Sequence, residues 1–279
     1  MGVMKVLVGV GTLGGATMMT VSCLVRQSVT RELPDKQMKG EEGRLVSLQQ
    51  EGWCLMKEAL PASQLADSLA SFRRGVEAGT SSQLLKKANF WQSSLGRFHL
   101  QTFSEGDTNL LAEAEKVWLP FVESHLPGIQ RSDLQLLFSL PNSGDQIFHQ
   151  DNSQPGLTVL VPLVDMHLGN GPTQLLPRSH LDVSLADRLK DSSPALPACV
   201  PAGTALIYDS RTIHRGLANP SASSRPVLVY RYDYPRTPPP GHTPLSTILY
   251  SCLGALLCAV GEAKLLFESE LNSQSTSDI

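Results

Sequence analysis

Apolar positions recur every three or four residues over 63–76, at Leu65, Leu69 and Phe72 with alanines between. The same period returns over 109–125, at Leu110, Leu111, Ala114, Val117, Trp118 and Phe121. That spacing places the apolar side chains on one side of a helix, so both stretches are predicted to be amphipathic helices lying on a core. Residues 43–50 are predicted to be helical as well, and 53–56 form a short apolar strand. Past residue 130 the texture changes. Short runs rich in β-formers lie at 134–140, 146–151, 157–163, 204–208 and 227–234, separated by Gly, Pro, Asn and Ser. Helices followed by many short strands predict a mainly β fold with flanking α-helices, a jelly roll, rather than alternating βαβ units.

The two ends differ from this middle. Residues 6–25 carry no charge and are flanked by Lys5 and Arg26. Twenty uncharged residues suffice to cross a bilayer, so the segment reads as an uncleaved anchor or a targeting segment, and implies membrane association. The chain is then expected to be membrane-associated or organelle-targeted, and otherwise cytoplasmic. Near the other end Pro235, Pro238, Pro239 and Pro240 make a hinge that neither strand nor helix continues through. Residues 245–261 are again uncharged but short for a span, which predicts a packed helix, and the polar stretch from Glu268 is expected to fray. The organisation is therefore an N-terminal segment and linker at 1–41, one domain at 42–235, and a hinge, helix and tail at 236–279.

Composition removes several classes of function. The formal net charge is -3, and the densest basic pair, Lys86 and Lys87, stands alone. Nucleic-acid binding needs clustered Lys and Arg, so no nucleic-acid partner is expected. The five cysteines are scattered and none forms a C-x-x-C pair, which argues against a disulfide framework or a zinc–thiolate site.

The candidate chemistry lies in Gln146-Ile147-Phe148-His149-Gln150-Asp151. In a strand, residues two apart face the same way, so His149 and Asp151 can reach one ion. His-x-Asp alone is a short pattern, and two polar residues on a surface strand would explain it. A third ligand changes that reading: His214 follows the apolar strand 204–208 by six residues and precedes a turn-rich stretch. Two histidines and one carboxylate leave three positions open on a metal, the arrangement of non-haem Fe(II) oxygenases, with room for a chelating co-substrate and O2. Arg225 opens the next strand after the turn, and a hairpin would bring it near His214. Its planar fork can hold a carboxylate through two parallel hydrogen bonds, as the dicarboxylate 2-oxoglutarate requires at its far end.

Three blocks in order resemble the phytanoyl-CoA dioxygenase family of Fe(II)/2-oxoglutarate oxygenases. Gln146 to Asp151 is similar to that family's Q-x-x-H-x-D strand; Gly169-Asn-Gly-Pro-Thr-Gln-Leu-Leu-Pro-Arg-Ser-His180 resembles its N-G-x-x-x-x-x-P-G-S-H block. Gly203 to Gly216, followed by Asn219 and Arg225, resembles its distal-histidine block, with Arg225 at the family's spacing from the histidine. The resemblance covers roughly 42–235. It implies a double-stranded β-helix of the cupin-like kind, with His149, Asp151 and His214 as metal ligands and catalytic centre. It further implies a co-substrate arginine at Arg225, with Gln146 and Thr173 at the cofactor pocket. The implied reaction hydroxylates a small-molecule substrate, a lipid-like one suiting the apolar ends, with release of succinate and CO2. Arg178 departs from the pattern, standing where the family has Gly and where a positive φ would strain it. His180 is read as structural, His99, His125, His167 and His242 as surface or packing residues, and Asp209 as an acid that either orients a ligand or, the favoured reading, makes a buried structural hydrogen bond.

Two other readings stay open: a jelly-roll binding module without turnover, and a metal-dependent cupin enzyme that does not use 2-oxoglutarate. Loops at 79–90 and 181–201 are expected to shape the substrate pocket. The substrate itself is not legible, because fold resemblance does not fix it; neither is the oligomeric state.

Overall fold

The computed structural model describes residues 6–13, 16–23, 40–60, 90–94, 96–100, 105–235 and 244–275, with positions 63, 66, 67 and 70. Most of the helix predicted at 63–76, the hinge prolines after Pro235 and the loop at 79–89 lie outside the described residues.

Strands β7 (Gly156–Pro162) and β12 (Arg225–Asp233) are buried at every position. They sit side by side in a seven-stranded antiparallel sheet. Around them run β3 (Trp53–Met56), β4 (Phe90–Ser94), β5 (Arg97–Leu100), β6 (Gln130–Ser139) and β10 (Ala205–Asp209), in the order β3-β10-β7-β12-β6-β5-β4. Strands covered on both faces read as continuous apolar runs, which is why the sequence shows runs here and little alternation.

Each face of this sheet has its own core. One face presents Leu136, Leu157, Val159, Ile207, Leu228 and Tyr230 to helices α1 (Gly40–Glu51), α2 (Glu105–Glu115) and α3 (Leu119–His125). The predicted stripe of Leu111, Ala114, Trp118 and Phe121 is buried in that layer, although a tight turn splits the expected single helix before Leu119. Pro120 in the first turn of α3 suits a helix start, since its missing N–H has no partner to lose there. The Trp118 indole donates to Tyr232 Oη at 2.8 Å, and that hydroxyl donates to Glu115 Oε1 at 2.8 Å. The layer is thus tied by polar bonds as well as by apolar burial.

The other face presents Trp53, Leu55, Leu160, Leu206, Tyr208, Val227 and Val229 to a smaller sheet. That sheet comprises β8 (Thr173–Leu175), β9 (Leu196–Pro197) and β11 (His214–Gly216), in the order β11-β8-β9. The segment 143–151, predicted to be partly a strand, joins β11 through bridges at Ser143↔Asn219 and His149↔His214 without forming a regular ladder. The ladder is interrupted because the Asp151 and Asn152 amides both turn to the Ser210 carbonyl, at 2.9 and 3.0 Å. Two antiparallel sheets enclosing an apolar interior form the jelly roll expected from the sequence.

Helix α4 (Leu185–Lys190) and helix α5 (Pro244–Ser275) close the far side of the small sheet. Leu257 and Cys258 of α5 pack with Phe148, Leu176 and Ile213. The packed helix expected at 245–261 is therefore present but longer. It continues through the tail expected to fray, where Leu and Glu keep a favourable helix propensity. Residues 6–25, read as an anchor or targeting segment, contribute two eight-residue antiparallel strands, β1 (Val6–Leu13) and β2 (Ala16–Cys23).

Candidate metal centre

His149 and His214 face each other across the isolated bridge. Each amide donates to the other's carbonyl at 2.9 Å, and the ring centroids stand 4.4 Å apart. Asp151 completes the group, with ligand atoms of the three residues all within 4.8 Å of one another. His214 Nε2 lies 3.7 Å from Asp151 Oδ1.

Both rings are oriented in the same way. His149 Nδ1 donates to the Ile147 carbonyl at 2.9 Å, and His214 Nδ1 donates to the Thr212 carbonyl at 2.9 Å. A proton fixed on Nδ1 leaves the Nε2 lone pair free, the tautomer a metal needs. Asp151 Oδ2 accepts from Thr158 Oγ1 at 2.7 Å and from the Tyr208 hydroxyl at 2.9 Å. Oδ1 is left toward His214. Burial opposes ionisation of Asp151, but His214 and His149 when protonated, together with Arg231 and the Thr158 bond, outweigh it and hold the carboxyl well below its usual range. Burial, then Asp151, pushes the Tyr208 phenol well above its ordinary value, so it stays a donor.

Tyr208 and Thr158 were invisible as site residues in the sequence, because only the β10–β7 register pairs them. The Tyr208 hydroxyl also lies 3.2 Å from His214 Nε2, so it touches two of the three candidate ligands.

Arg225 enters the same interior from the large sheet. The expected hairpin with His214 is not formed, because β11 and β12 belong to different sheets and the turn between them crosses from one to the other. Asn219 holds that crossing, its side-chain amide donating to the carbonyls of Ser139 at 3.1 Å and Ser223 at 2.8 Å. Arg225 is 2 % exposed. It donates to Ser139 Oγ at 3.0 Å and approaches Met166 Sδ at 3.7 Å, while its Nε has no partner. Among the described residues no carboxylate pairs with it. Burial, then the nearby Arg97, pulls it down to about 9, which still leaves a cation at neutral pH.

Arg97 and Arg225 flank Ser139 in register on either side of β6. Arg97 is satisfied by the protein, donating to Ser139 Oγ at 2.5 Å, to the Gly144 carbonyl at 3.1 Å and to the Leu217 carbonyl. It occupies the space beside Gly216, where an added Cβ would sit 2.8 Å from its Nη1. Gln146 Oε1 accepts from the Gly216 amide at 2.9 Å, and Thr173 is buried opposite Gly216 on β8. Both therefore border the interior, with Gln146 also tying the ligand segment to β11.

The remaining sequence-predicted residues fall outside the cluster. Asp209 is bound by Arg211, with Oδ2 accepting from Nη2 at 2.7 Å, so it does not orient a ligand. His180 Nε2 donates to the Gln49 carbonyl at 3.2 Å and is buried packing. Arg178 has φ 64°, the strained conformation expected of it, with its amide donating to the Glu51 carbonyl at 2.9 Å. His99, read as surface or packing, is on the inner face beside Arg97 and donates from Nδ1 to Gln135 Oε1 at 2.5 Å.

Two imidazoles and a carboxylate whose ligand atoms converge inside a jelly roll fit an iron site of the non-haem oxygenase class. The family model for phytanoyl-CoA dioxygenase (PhyH) matches residues 48–227, more than half the chain, and the chain belongs to that family. Solved structures share the fold. AviO1 from Streptomyces viridochromogenes Tue57 is 22% identical at TM-score 0.59, over 72% of this chain and 98% of that one. SnoN, a non-haem α-ketoglutarate-dependent epimerase from nogalamycin biosynthesis, is 20% identical at TM-score 0.55, over 70% and 82%. HygX from Streptomyces hygroscopicus, solved with nickel and 2-oxoglutarate bound, is 14% identical at TM-score 0.53, over 69% and 87%.

Proposed function

We propose that this chain is an Fe(II)- and 2-oxoglutarate-dependent dioxygenase that hydroxylates a small, lipid-like molecule, with His149, Asp151 and His214 holding the metal. Iron and 2-oxoglutarate bound there supply one overall chemistry: substrate C–H, 2-oxoglutarate and O2 give the alcohol, succinate and CO2. The observation that carries the co-substrate is Arg225. A buried guanidinium with no carboxylate beside it among the described residues, and with its Nε unsatisfied, costs several kcal/mol, and a bound carboxylate offsets that cost. The far carboxylate of 2-oxoglutarate supplies the missing partner, and solved family-fold neighbours such as HygX carry that molecule.

The chain's own residues do the positioning. The Ile147 and Thr212 carbonyls fix both ring tautomers. Thr158 and Tyr208 occupy Oδ2 of Asp151, which would leave Oδ1 to hold the metal. Leu160, Leu206, Val227 and Val229 pack as a buried apolar cluster on the same face of the large sheet, and the low dielectric of such a core strengthens charge contacts made beside it. Gln146 and Thr173 border the same space and are assigned to the co-substrate pocket.

Calorimetric titration of 2-oxoglutarate into the Ni(II)-loaded full chain tests the assignment. Binding is expected to require the metal, to weaken at least tenfold for glutarate, which lacks the chelating keto group, and to be lost in Arg225→Ala. Equal binding of glutarate, or full binding by Arg225→Ala, would sink it.

A further inference from the structure

Helix α5 lies beyond the 48–227 segment that defines the family, yet it rests on the backs of the ligand strands. Phe148 and Ile213 immediately precede His149 and His214, and both are buried against it. The approach is close: a Cβ added at Gly254 would sit 2.4 Å from Phe148 Cβ, and one at Gly261 would sit 2.3 Å from the Ser193 carbonyl oxygen. Lys264 turns inward as well, donating to the carbonyls of Leu189 at 3.0 Å and Ser192 at 3.3 Å at the end of α4.

The outward side of α5 is apolar too. Ile248, Leu249 and Leu256 are 44%, 61% and 45% exposed, and Cys252 and Ala263 are exposed with them. At about 100° per residue, positions 248, 249, 252, 256, 260 and 263 share an arc of roughly 120° running about 22 Å along the helix. Glu262 and Lys264, the two charged residues between 244 and 265, fall outside that arc. A surface helix of a soluble domain carries its polar residues there, so this stripe lacks the cover that its chemistry requires.

We infer that the outward stripe of α5 is a docking surface for a lipid bilayer, on which the helix lies in the plane of the membrane. Ile248–Leu265 has a mean hydropathy of 1.5, but its inner side is committed to Phe148 and Ile213, so the helix lies on the bilayer rather than crossing it. The second observation comes from the other end of the chain. β2, from the uncharged stretch 6–25, comes against α5. That stretch is bordered by Lys5, Arg26 and Arg31, with no acidic residue before Glu32. Basic residues that flank an apolar stretch in sequence, with no acid among them, complement anionic headgroups, which favours a bilayer over a second copy of the chain as the occupant.

Co-sedimentation of the full chain with phosphatidylcholine vesicles, with and without phosphatidylserine, tests this. Binding is expected to both, tighter with phosphatidylserine. The double variant Leu249→Glu/Leu256→Glu is expected to lower partitioning at least tenfold while Ni(II) binding stays unchanged. Undiminished vesicle binding by that variant would overturn the proposal, as would a full chain that ignores vesicles. So would a dimer in solution that the variant dissolves, since the stripe would then face a second copy.

Discussion

His149 and His214 are joined by two reciprocal backbone hydrogen bonds of 2.9 Å, so the candidate ligands belong to one rigid ladder rung even though they are 65 residues apart in sequence. Metal affinity therefore depends on how well that rung is held. The interior Tyr208 and the exterior α5 hold it from opposite sides.

Replacing Tyr208 by Phe removes one of the two donors to Asp151 Oδ2 and leaves Thr158 in place. Partners behind metal ligands are typically worth 10- to 100-fold in affinity. Tyr208→Phe is expected to bind Ni(II) or Co(II) about tenfold more weakly, with a shifted Co(II) d–d spectrum and a native circular dichroism spectrum. An unchanged affinity and spectrum would show that Thr158 alone positions the carboxylate.

Arg225 predicts a conflict between stability and function. Arg225→Met keeps a long side chain and removes an unpaired buried charge, a change that is often neutral or stabilising. The ligand-free variant is expected to melt no lower than the parent, while losing 2-oxoglutarate binding. A large loss of melting temperature would mean that the guanidinium is structurally satisfied and not held for a ligand.

Gly254→Ala places a methyl group 2.4 Å from Phe148 Cβ. Overpacking of this kind costs about 1–3 kcal/mol. Because Phe148 adjoins His149, the variant is expected both to melt lower and to bind metal more weakly. A stability loss with unchanged metal affinity would separate α5 from the site.

Burial first of all holds His125 and His180 below the ordinary imidazole value. As pH falls, the unfolded chain, titrating near 6.5, takes up protons before the folded one. This contribution is therefore complete above that value and lost below it. Melting temperature is expected to fall between about pH 7.5 and 5.5, above the range where most carboxylates titrate. His180→Gln, which keeps a donor for the Gln49 carbonyl, is expected to flatten the slope.

How much of this was legible depends on how far each residue's neighbours lie along the chain. His149, Asp151, His214 and Arg225 stood out because polar residues interrupted apolar runs at spacings a metal and a carboxylate can use. Trp118 and Phe121 followed helical period and were found buried. Tyr208 and Thr158 look like ordinary strand residues, and only the pairing of β10 with β7 turns them toward Asp151. His99 was passed over for the same reason, since the β5–β6 register alone sets it on the inner face beside Arg97. The hairpin expected for Arg225 failed because local turn signals do not reveal that the chain changes sheets. The packing of α5 on Phe148 is a contact across about a hundred residues, which no local pattern encodes.

The most direct test is an anaerobic titration of the full chain with Fe(II) and 2-oxoglutarate, following the weak visible metal-to-ligand charge-transfer band. The account predicts a band that saturates at one iron and one 2-oxoglutarate per chain, disappears in His149→Ala and weakens in Arg225→Ala. Folded, metal-loaded protein that shows no such band would contradict it and move a cupin chemistry without 2-oxoglutarate to the front.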